Sequence, residues 1–177
     1  MPLEELLSSG TILPITRWGN PVLHRPCRPV AEFGPDLWNL LCDMFATNAA
    51  ANGAGLAAPQ IGVSLAAFSY NFDGQHGCIL NPVVASASGD YDGVEACLSI
   101  PGLSACCLRA MTTVVTGVDR RGDPVTLTGS GELSRVLQHE TDHLRGVLFI
   151  DRLTGQNRKD ALRELRRATG PLSGAAG

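Results

Sequence analysis

The sequence predicts an α+β fold, with short antiparallel β-sheets packed around a central helix, a helix toward the N-terminus and another at the C-terminal end. Two observations carry the prediction. Apolar residues recur at helical spacing in three separated stretches, and between the first two of these lie five short apolar, β-branched runs divided by turn clusters. At 177 residues the chain suits one domain, taken as residues 1–170, followed by a small Gly-rich tail at 171–177 that is expected to be flexible.

The first helix places Leu37, Leu40, Leu41, Met44 and Phe45 on one side, with Pro35 near its start and Asn52-Gly53 as its stop. The strand-like runs at 61–71, 78–85, 104–108, 111–119 and 124–128 are separated by "NFDGQHG", "SGDYDG" and "DRRGDP". A second helix, "SGELSRVLQHETDHLRG", is bounded by Gly131 and Gly146, and "RKDALRELRRATG" makes a last amphipathic one.

Composition narrows the function. A net charge of −3 from 14 basic and 17 acidic residues gives no broad basic footprint, so direct nucleic-acid binding and anionic membrane are not expected. No apolar run approaches the roughly 20 residues that span a bilayer, and "MPLEELLSSG" has neither a secretory nor an organellar pattern. A cytoplasmic protein is expected. The six cysteines, at 27, 42, 78, 97, 106 and 107, include no C-x-x-C pair, so a zinc ribbon is excluded and most are expected to be small buried hydrophobes.

The chemistry lies in three stretches. In "QHETDHLRG", residues 138–146, His139 and His143 fall one helical turn apart and can face a single ion. Glu140 projects into the apolar stripe formed by Leu133, Val136, Leu137 and Leu144, while Arg135, Gln138, Asp142 and Arg145 form the face expected to be polar. A charged surface helix explains lone histidines. It does not explain a carboxylate inside an apolar sector, because an unpaired buried carboxylate costs several kcal/mol; a base facing a bound metal and its water accounts for it better. Two histidines hold a metal weakly, and the best third ligand is Cys97 in "EACLSIPG", placed at a strand end by the bend after it. Alone, that cysteine reads more readily as a core thiol than as a ligand. In "NGAGLAAPQIG", residues 52–62, Gly53 and Gly55 permit close approach of backbone to a ligand and Gln60 offers a neutral amide donor.

Together these stretches resemble the peptide deformylases, whose G-x-G-L-A-A-x-Q loop, E-G-C-L-S segment and H-E-x-D-H helix recur here in the same order. "GNPVLHRPCRPV", "LNPVV" and the sequence through Leu153 extend the likeness over nearly all but the termini. The resemblance implies that Cys97, His139 and His143 bind the metal, that Glu140 is the catalytic acid and base, and that Gln60 and the Leu98 backbone N–H hold the oxyanion. The implied activity removes the N-formyl group from the formyl-methionine N-terminus of nascent polypeptides, releasing formate, with transient ribosome contact. The physics agrees: three protein ligands leave an open position for water, and a Lewis-acidic metal brings that water's pKa toward neutrality. A Cys-His-His set suits zinc, iron(II), cobalt or nickel; the resemblance implies iron(II).

Close-packed backbone around Gly55 and Leu56 is expected to admit formyl and exclude acetyl. Three positions depart from the family pattern. Ala96 stands where the family has glycine, Ala54 where a larger aliphatic residue is usual, and Ser104 where many members have arginine near the bound peptide. Arg109 matches a family arginine and is a candidate partner for Asp142. These departures leave one alternative, a catalytically weakened paralogue that binds formylated N-termini. A zincin-type protease is disfavoured, because after His143 only Asp151, Asp160 and Glu164 are acidic candidates for its third ligand.

Overall fold

The computed structural model describes residues 3–169, so the tail expected at 171–177 lies outside the described residues. Five helices and seven strands follow in the order α1 (Leu3–Ser9), α2 (Pro35–Ala50), β1 (Gly55–Ala57), β2 (Ala67–Phe72), β3 (Gln75–Tyr91), β4 (Val94–Cys97), β5 (Ile100–Cys106), β6 (Arg109–Val118), β7 (Pro124–Ser130), α3 (Glu132–Leu144), α4 (Phe149–Arg152) and α5 (Gly155–Thr169). The strands form a five-stranded antiparallel sheet, β1-β2-β3-β6-β7, and a separate β4-β5 hairpin. The α+β architecture around a central helix is as the sequence predicts.

Local chemistry accounts for the turns. Asp73 and Gly74 join β2 to β3 with φ of 49° and 73°, the left-handed pair that a two-residue hairpin needs. Asn81 takes φ 51° where the pairing of β3 with β6 is interrupted. Its amide accepts from Val30 N at 2.7 Å and donates to Val30 O at 2.9 Å, fixing the N-terminal segment to the sheet.

The long α3 helix lies across the sheet, where Leu133, Leu137 and Leu144 pack with Ala57, Phe68, Ile79 and Val115. Each fully buried leucine or phenylalanine contributes about 1.5–3 kcal/mol to this packing. Every residue of α3 except Glu132 and Gln138 is buried. The polar face expected from the sequence is therefore corrected in part: Arg135 and Asp142 are only 4% and 5% exposed, because Arg135 reaches Glu95 of β4 and Asp142 is gripped by Arg109 of β6 and Arg152 of α4.

Other expectations change too. The run at 78–85 lengthens to Gln75–Tyr91, taking in most of the "SGDYDG" cluster, because it stays paired with β6 as far as Tyr91. The run at 61–71 becomes strand only from Ala67, because Ala58–Ile61 forms a 3-10 turn closed by Gly62 at φ 83°. The run at 104–108 starts earlier, at Ile100, as the second arm of a tight hairpin in which Cys97 faces Ile100. Short helix α1 precedes the predicted first helix, burying Leu6 against Cys42 and Phe45 of α2.

Candidate active site

The α3 helix presents His139 and His143 on adjacent turns, with their Nε2 atoms 3.2 Å apart. Cys97, the last residue of β4, brings its Sγ to 3.3 Å from His143 Nε2. The three donor atoms lie within 4.8 Å of one another, and all three residues are buried. A tetrahedral ion bonded at about 2.1 Å to nitrogen and about 2.3 Å to sulfur imposes donor–donor edges of roughly 3.4–3.6 Å. The cluster fits a divalent metal in spacing and in donor chemistry.

Strand alternation explains why β4 contributes twice. Val94 and Ala96 face outward, whereas Glu95 and Cys97 are buried on the other face. Glu95 Oε1 sits 2.6 Å from His139 Nδ1. It also accepts from Arg109 Nη2 at 2.6 Å, while its Oε2 accepts from Arg109 Nε at 2.8 Å and Arg135 Nη1 at 3.2 Å. Burial alone raises the Glu95 pKa, but hydrogen bonds from Arg109 and His139, with their charges, hold it well below the usual carboxylate range. An ionised Glu95 accepts a hydrogen bond from Nδ1–H and so turns His139 Nε2 toward the cluster, the arrangement that orients a metal-binding imidazole.

The network continues outward. Arg109 Nη1 donates to Asp142 Oδ2 at 2.7 Å, and Arg152 grips the same carboxylate, with Nε 3.0 Å from Oδ2. The Arg109–Asp142 pairing considered from the sequence is present, but Glu95 and Arg135 were given no supporting role. The two-residue spacing of Glu95 and Cys97 in a strand was the signal that places them on one face.

Glu140 is buried on α3, with its Oε2 lacking a hydrogen-bond partner among the described residues. Burial pushes its carboxyl up to about 7. A Cβ at Gly55 would stand 2.6 Å from Glu140 Oε1 and 2.8 Å from its Cγ. The glycine is thus required by the Glu140 side chain itself, a closer constraint than the approach of a ligand. Gly53 is likewise confined by the Asn48 side chain and by Leu98.

Gln60 lies within the 3-10 turn after β1. Its Oε1 accepts from Ala57 N at 2.8 Å, which fixes the amide and aims Nε2 at Cys97 Sγ, 3.7 Å away, and Ser99 Oγ, 3.4 Å away. A cleft of about 720 Å³ runs over these groups. It is lined by Ala54, Gly55, Gln60, Ala96, Leu98 and Glu140, among others, so every ligand, catalytic or peptide-binding candidate named from the sequence borders it except the deeper His143. Ser104 lies there too, directly across the hairpin from Ala96.

Residues 12–159 match the sequence model of the polypeptide deformylase family. The chain belongs to that family. A peptide deformylase from Acidothermus cellulolyticus is 49% identical over 157 residues, covering 89% of this chain and 87% of the relative. The crystal structure of a peptide deformylase from Legionella pneumophila superimposes with a TM-score of 0.84 at 39% identity, covering 90% of this chain and 96% of that one. The peptide deformylase from Thermus thermophilus gives 0.83 at 40% identity, with 89% and 94% covered. Among the described residues of this deformylase family member, no helix is long and apolar enough to cross a membrane.

The Glu95 network yields a prediction. Glu95→Gln is expected to lower metal affinity about 10- to 100-fold, because His139 loses its orienting carboxylate. It is also expected to destabilise the fold, by up to about 3–5 kcal/mol, since two buried arginines lose their shared carboxylate and keep only Asp142 and Glu132 as counter-charges. Chelator competition and denaturant unfolding read the two effects. Unchanged metal affinity in a destabilised variant would assign Glu95 to the fold alone.

Proposed function

We propose that this protein is a metal-dependent deformylase that hydrolyses the N-formyl group from formyl-methionine at the start of newly made polypeptides, releasing formate and a free amine. The observation that carries the reading is the Cys97-His139-His143 donor cluster beside an unpartnered Glu140 oxygen buried at the floor of the cleft. When bound, a divalent metal held by these three residues supplies Lewis-acid activation of water and of the formyl carbonyl. We take it to be iron(II), with zinc, nickel or cobalt as substitutes.

The protein residues divide the remaining work. Glu140, next to His139 on the same helix, takes the proton of the attacking water and delivers it to the departing amine. Gln60 Nε2, its orientation locked through Ala57, and the Leu98 N–H donate to the formyl oxygen as it gains charge. The cleft walls at Ala54, Gly55 and Ala96 bind the peptide, and the close approach of Gly55 to Glu140 leaves little room for a group larger than formyl. We place the protein in the cytoplasm, acting on nascent chains during transient contact with the ribosome.

Formate release from formyl-Met-Ala-Ser, measured with anaerobically purified protein of known metal content, tests this reading. Metal-loaded protein that binds the peptide and releases no formate would support the weakened paralogue instead.

Ala96 bears on that alternative. Its side chain is on the exposed face of β4, opposite the Glu95 and Cys97 side. Ala96→Gly is therefore expected to leave kcat/KM level or slightly lower, because it relieves no clash at the metal cluster and loosens the strand before Cys97. A many-fold rescue through a lower KM would show that the methyl obstructs the peptide.

A further inference from the structure

The acidic and basic side chains along the cleft are Arg17, Glu95, Glu132, Arg135 and Glu140. Most are already balanced or committed. Glu95 and Arg135 are buried and paired with each other at 3.2 Å. Glu132 accepts from the Tyr91 hydroxyl at 2.7 Å and from Arg135 Nε at 3.3 Å. Glu140 is buried at the cleft floor. Arg17 differs: it is exposed, and its guanidinium makes one contact among the described residues, from Nη1 to Leu98 O at 3.4 Å.

The backbone on either side of Arg17 is pinned. Thr16 N donates to Gln60 O at 2.8 Å and Trp18 N donates to Ser99 O at 2.9 Å. This N-terminal segment bridges the Gln60 turn and the β4-β5 turn, and it holds the Arg17 side chain over Leu98. An uncompensated cation is thus presented beside the two groups assigned to the formyl oxygen. A formylated chain has no α-amino charge, so the first charges it brings to the cleft belong to the side chains after methionine.

We infer that Arg17 is a specificity-determining residue that favours nascent chains with an acidic side chain in the first two positions after the formyl-methionine. The inference rests on the deformylase reading. An exposed ion pair of this kind is expected to raise kcat/KM about 2- to 5-fold over a neutral side chain, chiefly through KM. The preference should shrink in high salt, where exposed charges are screened.

The test uses the full-length, metal-loaded protein and the C-terminally amidated peptides formyl-Met-Asp-Ser, formyl-Met-Ser-Asp, formyl-Met-Gln-Ser and formyl-Met-Lys-Ser, so that side chains carry the only charges. Ratios of acidic to neutral peptide within each variant cancel any general change in activity. Wild type should favour at least one acidic peptide and disfavour the lysine peptide. Arg17→Lys should keep most of that preference, Arg17→Gln should abolish it, and Arg17→Glu should invert it. A wild-type ratio of one in both positions, or a preference that survives Arg17→Gln, would overturn the inference. If even the neutral peptide yields no formate, the deformylase reading fails; fluorescence anisotropy with dye-labelled versions of the same peptides then gives the ratios as affinities, and equal affinities overturn the role of Arg17 separately.

Discussion

Glu140→Gln is expected to keep its metal and lose turnover by about 10²–10⁴-fold, the usual contribution of a general acid or base. Glutamine preserves the shape that Gly55 accommodates, so the buried side chain still fits against the β1 backbone. It cannot carry a proton from water to the leaving amine. The Glu140 Oε2 has no protein partner among the described residues, so the substitution breaks no hydrogen bond that α3 relies on. Metal content by atomic absorption and formate release on the same sample separate the alternatives. Loss of the metal would make Glu140 a ligating or structural residue, and full activity would remove it from the reaction.

Cys97→Ala is expected to have the largest effect on metal binding, exceeding the about 10- to 100-fold that loss of an outer support costs. The variant loses the one thiolate of the cluster, leaving two imidazoles on adjacent turns of α3. Cys42→Ala and Cys78→Ala serve as controls. Cys42 is wholly buried beside Leu6 and Phe45, and Cys78 is half-buried in β3, opposite Ser69 in β2. Both are expected to retain the metal, measured by chelator competition alongside thermal unfolding. Equal metal loss in all three variants would indicate general unfolding. Oxidation of the Cys97 sulfur should also inactivate wild type, since it removes one of the three donors of the cluster.

The α3 helix was legible in the sequence because its ends are marked by glycines and its apolar stripe has helical period. Within that period, His139 and His143 share a face whatever packs above them. The position of Cys97 was legible in part: the sequence after it signals a bend at a strand end, and the turn does follow the thiol at once, at Leu98 and Ser99, but Ile100, Pro101 and Gly102 already belong to β5. Those signals are local, and local geometry decides them.

Burial on the other side of α3 was not legible. Periodicity reports one apolar stripe, whereas a helix covered on several sides buries charged residues as well, provided they are paired. Arg135 and Asp142 read as solvated because their partners, Glu95, Arg109 and Arg152, are brought to them only by the β4-β5 hairpin, β6 and α4. The same holds for Arg17, far in sequence from the three stretches that carry the chemistry yet fixed at the cleft by backbone hydrogen bonds of its neighbours Thr16 and Trp18 to Gln60 and Ser99. The sequence by itself determined the helical and strand periods, the donor residues and their order along the chain. The tertiary structure decided which charges are compensated and which one faces the cleft, because compensation depends on distances of a few ångströms between segments that the chain keeps far apart.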